Sequence, residues 1–322
     1  MKRMMGLLAV PVLLLSACSA APVPVKGTPS ARVLLQVSAL PPAPSLPRWA
    51  PAGDRVLLAI HGGDDNPHGL AAVLGLSEGA APQPLGPLPT FTPPEWSPDG
   101  QSVALVGPRQ DVGAVVPTIY RQPVDGGEAV DLLPGAQAVQ GVSGTKFISR
   151  WAAPDTLYYS EHMGTGVSEL RRLDVPGRKV VPWPDGELLQ ATFYHWADDS
   201  SRVAGQIYGG PASFWVWDLQ ADRFVKPAEQ LPGQFQWFEG WQGSDTVLFT
   251  AWEGYPYSPE ATRATLYRLD LKSGGVAMVA ENAVLAQASG DVVAYIALKP
   301  SPALVVVDKA GKELRREGLG AL

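Results

Sequence analysis

Apolar residues in this chain gather into short, dense runs separated by polar, glycine- and proline-rich stretches. Six such runs are "RVLLAI" (55–60), "SVALV" (102–106), "TLYYS" (156–160), "RVAGQI" (202–207), "TVLFTAW" (246–252) and "DVVAYIAL" (291–298). None continues at the 3.6-residue spacing of an amphipathic helix. Their length and their β-branched and aromatic content predict strands, and near-continuous apolarity predicts strands covered on both faces. Each run follows a polar turn, and a second β-rich segment ending in a turn comes after it: "TIYRQPVDGGE", "SELRRLDVPGR", "SFWVWDLQADR", "TLYRLDLKSGG" and "ALVVVDKAGKE", with "GLAAVLGLSEG" the poorest match.

The pattern repeats with a marker. Trp49, Trp96, Trp151, Trp196 and Trp241 each precede a turn and an apolar run, at intervals of 47, 55, 45 and 45 residues, and Ala288 occupies the same slot 47 residues later. Six periods with four short strand signals each predict an all-β fold, a six-bladed β-propeller of four-stranded antiparallel blades. The second copy, "PEWSPDGQSVALV", shows the unit most fully: proline and aspartate shape a tight turn, and glycine takes its left-handed position. A flat indole suits the gap between wedge-shaped blades, and burying about 150–250 Å² of it contributes up to roughly 4–6 kcal/mol. The tryptophans, with Trp215 and Trp217, are therefore expected in the core.

The same copy resembles the propeller repeat of the TolB carboxy-terminal domain, P-x-W-S-P-D-G followed by an apolar strand. The resemblance spans about residues 31–322 and implies six blades. TolB's additional amino-terminal α/β domain has no counterpart here, so the resemblance is to a TolB-type repeat protein other than TolB. Its envelope role would imply a protein partner.

The amino terminus adds an address. Lys2 and Arg3 precede an apolar run to Leu15, then Ser16-Ala17-Cys18-Ser19, the layout of a secretory signal too short to span a bilayer. "LSAC" resembles the bacterial lipobox, which implies cleavage after residue 17 and lipidation of Cys18. Two acyl chains are what stable anchoring requires. Cys18 is the only cysteine, so no disulfide is expected. Residues 18–30 read as a flexible tether and residues 31–322 as the propeller. "RVLLQVSAL" (Arg32 to Leu40) is expected to complete the sixth blade beside the last strands, with "KELRREG" (312–318) competing for that place. Expected localisation is extracytoplasmic, on a cell or outer membrane. Net charge of −6 supplies no basic footprint, which excludes nucleic acid as the expected partner.

Candidate chemistry is sparse. His61-Gly62-Gly63 with "GLSEG" around Ser77 imitates hydrolase strings, but no stretch encodes the strand–turn–helix such an elbow needs. His61, Asp64, His68 and His162 are the residues that would serve a metal, and they show no fixed ligand spacing. The residues before the tryptophan slots are Arg48, Glu95, Arg150, His195, Gly240 and Gln287. On innermost strands their polar side chains would line the central channel, either holding an anion or pairing with one another. Trp252, Tyr255 and Tyr257 fall in the longest loop, where aromatics suit peptide or sugar recognition. The reading is a lipid-anchored, protein- or peptide-binding envelope module without a cofactor. The alternative is a metal-assisted hydrolase or lyase at the channel mouth.

Overall fold

A computed structural model describes residues 48–60, 70–75, 83–85, 93–109, 116–134, 145–164, 166–207, 214–225, 231–254 and 263–319. Their strands form six antiparallel sheets in chain order, each built from one continuous stretch, which is the arrangement of a six-bladed β-propeller. The innermost strands are Arg48–Trp49, Glu95–Trp96, Lys146–Ala153, Phe193–Trp196, Phe235–Gln242 and Ala283–Ser289. Blade three differs slightly: its outer position is split between Lys179–Val181 and Gln190–Ala191, with a 3-10 turn at Pro184–Gly186 between them.

The repeat unit is a register as much as a motif. Trp49 pairs with Val56, Trp96 with Val103, Trp151 with Leu157, Trp196 with Val203, Trp241 with Val247, and Ala288 with Val293. The "SPDG" turn explains why the slot sits where it does. Ser97 Oγ accepts from the Ser102 amide at 2.9 Å, Asp99 Oδ1 accepts from the Gln101 amide at 2.9 Å, and Gly100 takes φ +67°. Blade four does the same with other residues: Asp199 Oδ1 accepts from the Ser201 amide at 2.9 Å, and Ser200 adopts φ +56°. The carboxylate cap is common to both turns, and in blade four it accompanies a serine in the left-handed conformation that glycine takes in blade two.

Successive blades pack through buried clusters. Leu57 and Val73 meet Trp96 and Leu105 between blades one and two; Ile119 and Leu132 meet Trp151 and Leu157 between two and three. Leu170 and Trp183 meet Trp217, Phe214 meets Phe249, and Leu248 and Leu266 meet Val293 and Tyr295 across the next three interfaces. The slot indoles bind polar groups too. Trp96 Nε1 donates to the Arg48 carbonyl at 3.0 Å, Trp241 Nε1 to the His195 carbonyl at 3.0 Å, and Trp196 Nε1 to Ser149 Oγ at 2.8 Å. Each donor lies one blade after its acceptor, so each blade is registered on the one before it.

Among the described residues, the fourth strand of the sixth sheet is Glu313–Gly318, from the "KELRREG" stretch, paired with Ala303–Val307; the other candidate for that blade is Arg32–Leu40. The latter segment lies outside the described residues. Trp49 is not core: it is 53% exposed. The physical reason is positional, because a slot indole packs on the preceding blade. Among the described residues, no buried cluster joins sheet six to sheet one. Trp217, by contrast, is fully buried between blades three and four, with Trp215 packed against the same cluster.

Candidate functional site

The residues preceding the slot indoles occupy one equivalent position on the innermost strands, and the structure divides them into two groups. Arg48, Glu95 and Arg150 come together across blades one to three. The Arg48 guanidinium bonds Glu95 Oε2, and Arg150 Nη1 lies 3.8 Å from Oε1. Burial pushes the Glu95 carboxyl above its ordinary range, and the two arginines oppose that push. Arg150 is further tied to the blade-four turn, donating to Ser200 Oγ at 2.9 Å. These three charges largely satisfy one another.

His195 and Gln287 belong to the other group. They line a cavity of ≈530 Å³ with Trp196, Asp198, Phe238, Glu239, Trp241 and Leu285, on blades four to six. The His195 ring stacks on Phe238 with centroids 4.6 Å apart, and burial pushes its pKa down to about 4, so it is neutral near pH 7. Gly240 provides no side chain at its turn of the pattern, and a carboxylate stands beside it instead.

That carboxylate is Glu239, which the alternation along the strand does not anticipate. The pairing shifts between Phe238 and Gly240, leaving Glu239 as an extra, bulged residue and re-aiming its side chain. Glu239 Oε1 accepts from Thr250 Oγ1 at 2.5 Å, and Oε2 accepts from the Ala286 amide at 3.2 Å. Ala286 itself sits in a second irregularity, between Val284 and Gln287. The carboxyl of one blade thus caps the bulge of the next. Desolvation raises its pKa to about 7, against the lowering effect of these hydrogen bonds. Beside it, Leu285 holds φ +54°, a costly conformation for a leucine, and is 64% exposed. An acidic residue before a glycine in "FEGW" was the available sequence signal.

Of the remaining candidates, the structure describes His162 and Trp252. His162 ends the strand Thr156–His162, where its amide donates to the Thr145 carbonyl at 2.9 Å. His61, Asp64, His68, Tyr255, Tyr257, Ser77 and Cys18 lie outside the described residues. Among the described residues, no group of three His, Cys, Asp or Glu side chains is placed to hold a metal. Trp252 requires a correction: it is 7% exposed and lies within the strand Thr246–Glu253, packed near Ala264 and Val284. The strand runs on past the expected loop start because Trp252 pairs with both Phe235 and Ala264.

Exposed apolar residues do gather elsewhere on the loop side. Phe147 and Phe193 stand at the starts of innermost strands, Met163 and Ile207 follow the ends of second strands, and Leu188 lies on the link between blades three and four. All five therefore lie at the end where the second-to-third strand loops emerge. Phe193 reaches the Trp237 ring of blade five, with centroids 6.5 Å apart.

No family model matches the chain, and no curated protein matches it. Solved structures do. The β-propeller domain of the Trilobed protease from Pyrococcus furiosus aligns at 14% identity and TM-score 0.50, over 87% of this chain and 83% of that one. An oligogalacturonate lyase in complex with manganese aligns at 15% identity and TM-score 0.53, over 83% and 74%. A putative TolB from Agrobacterium tumefaciens aligns at 16% identity and TM-score 0.42, over 74% and 81%. The chain shares the β-propeller fold of the Trilobed protease domain and of the lyase.

Proposed function

We propose that the chain is an extracytoplasmic, lipid-anchored binding module that holds a protein or extended peptide on the propeller face where the second-to-third strand loops emerge. One observation carries this reading: Phe147, Met163, Leu188, Phe193 and Ile207 are exposed together at that end across blades three and four. Apolar side chains gathered on one face of a soluble surface favour a partner that covers them. Aromatic members are rigid anchors that lose little rotamer entropy on contact. The ion triad of Arg48, Glu95 and Arg150 suits a role in joining blades, since the one carboxylate bridges arginines from the blades on either side.

The anchor supports the same reading. A tether after Cys18 would hold the domain near a membrane surface and raise the effective concentration of partners there. Replacing Cys18 by alanine should release the protein from the membrane fraction. A photocrosslinking residue at Phe193 should capture one defined partner in cells, and one at Leu314 on the outer strand of blade six should not. Equal capture from both positions would remove the assignment to the loop face.

A further inference from the structure

The cavity beside Glu239 shares no lining residue with that apolar group. Its lining residues lie towards the ends of innermost strands, next to the first-to-second strand turns, and the stripe lies at their starts. Its chemistry is also one-sided. Asp198 stands at an exposed turn and Glu239 in the wall, while neither lysine nor arginine lines it. His195 supplies no positive charge because its ring is neutral. From the blade-six strand come Gln287 and Ser289, both uncharged, and from the strand behind Glu239 comes the Thr250 hydroxyl.

The contrast with Glu95 gives this asymmetry meaning. Glu95 is withdrawn from water and has two arginines. Glu239 is similarly withdrawn, yet among the described residues it has no cationic partner, only the Thr250 hydroxyl and backbone amides. A desolvated carboxylate gains most from a cation delivered to it, because the dielectric around it is low. Trp196, Phe238 and Trp241 add apolar walls with electron-rich faces. The exposed Leu285, held in its unfavourable conformation by the bulge, forms part of the rim.

We propose that this cavity binds a primary ammonium group carried on an apolar stem, with Glu239 as its counter-ion and the aromatic wall around the stem. The site is separate from the loop face, so failure of either assignment leaves the other standing.

The test uses the purified protein and intrinsic tryptophan fluorescence, since Trp196 and Trp241 report on the cavity. The probe is Nα-acetyl-lysine methylamide, titrated beside its norleucine analogue, which keeps the stem and lacks the ammonium. Saturable binding of the lysine probe, at least about tenfold tighter than the analogue, is expected. Butylamine as a third probe distinguishes the sources: equal binding indicates a free amine, and weaker binding a lysine within a peptide. Glu239→Gln should weaken the lysine probe by about tenfold or more. As a measurement independent of any variant's folding, wild-type affinity should rise as pH climbs through about 7, where Glu239 becomes charged. Equal binding of the norleucine analogue, a flat pH profile between about 5.5 and 8.5, or no saturable signal up to about 10 mM would each overturn the proposal.

Discussion

Replacing Glu239 by glutamine should change how stability depends on pH, independently of any ligand. The carboxyl titrates at about 7 in the fold against an ordinary 4.5. The folded chain therefore holds this proton more tightly than the unfolded chain does. Its contribution to stability is fully present below pH 4.5 and disappears as pH rises through about 7. At about 1.4 kcal/mol per pH unit, the difference between the two limits is roughly 3 kcal/mol. Glutamine keeps an acceptor for the Thr250 hydroxyl and cannot ionise, so every other titration cancels when the two proteins are compared. Urea unfolding followed by tryptophan fluorescence, at pH 4.5 and 8.5 and matched ionic strength, measures the comparison. E239Q should gain on wild type by roughly 3 kcal/mol between those conditions. A difference between the two proteins that stays constant within about 0.5 kcal/mol would show that the carboxyl is already ionised and well solvated.

Other perturbations read other parts of the fold. A Cβ at Gly205 would stand 2.0 Å from the Trp215 ring, so Gly205→Ala should force the indole from its place and break its bond to the Gln190 carbonyl; a loss of about 2–4 kcal/mol is expected in denaturant unfolding. His195, pushed down to about 4 from 6.5, makes the fold resist protonation, so wild type should lose stability as pH falls from 6.5 towards 4. His195→Gln should flatten that part of the profile, and an unchanged slope would count against a neutral, stacked ring. Glu95→Ala leaves Arg48 and Arg150 facing each other and should cost about 1–3 kcal/mol, reduced from the fully buried case because Arg48 is half-exposed; thermal unfolding would show it.

Much of this architecture was readable in the chain because it is repetitive. The tryptophan slot and the apolar run after it recur in one register, and even Ala288 could be placed by aligning the apolar run that follows it. Position before the slot predicted which residues approach one another at the inner strands, including Arg48, Glu95 and Arg150. What alternation could not supply was the bulge. One extra residue at Glu239 and the irregularity at Leu285–Ala286 move side chains off the period-two pattern, and the glutamate before glycine in "FEGW" marks the place without specifying the shift. Trp252 failed for a related reason, because proline- and tyrosine-rich sequence after it drew the expected loop start to Trp252, two strand residues too early. Trp49 failed because burial depends on a neighbouring blade, which no local sequence encodes.

Among the described residues, each sheet is drawn from one uninterrupted segment of chain, the last included. A nascent polypeptide can therefore complete each blade as it emerges, with only short loops to close, and the contacts that follow join it to the blade made just before. In such an order no early blade waits unpaired for the chain's final residues.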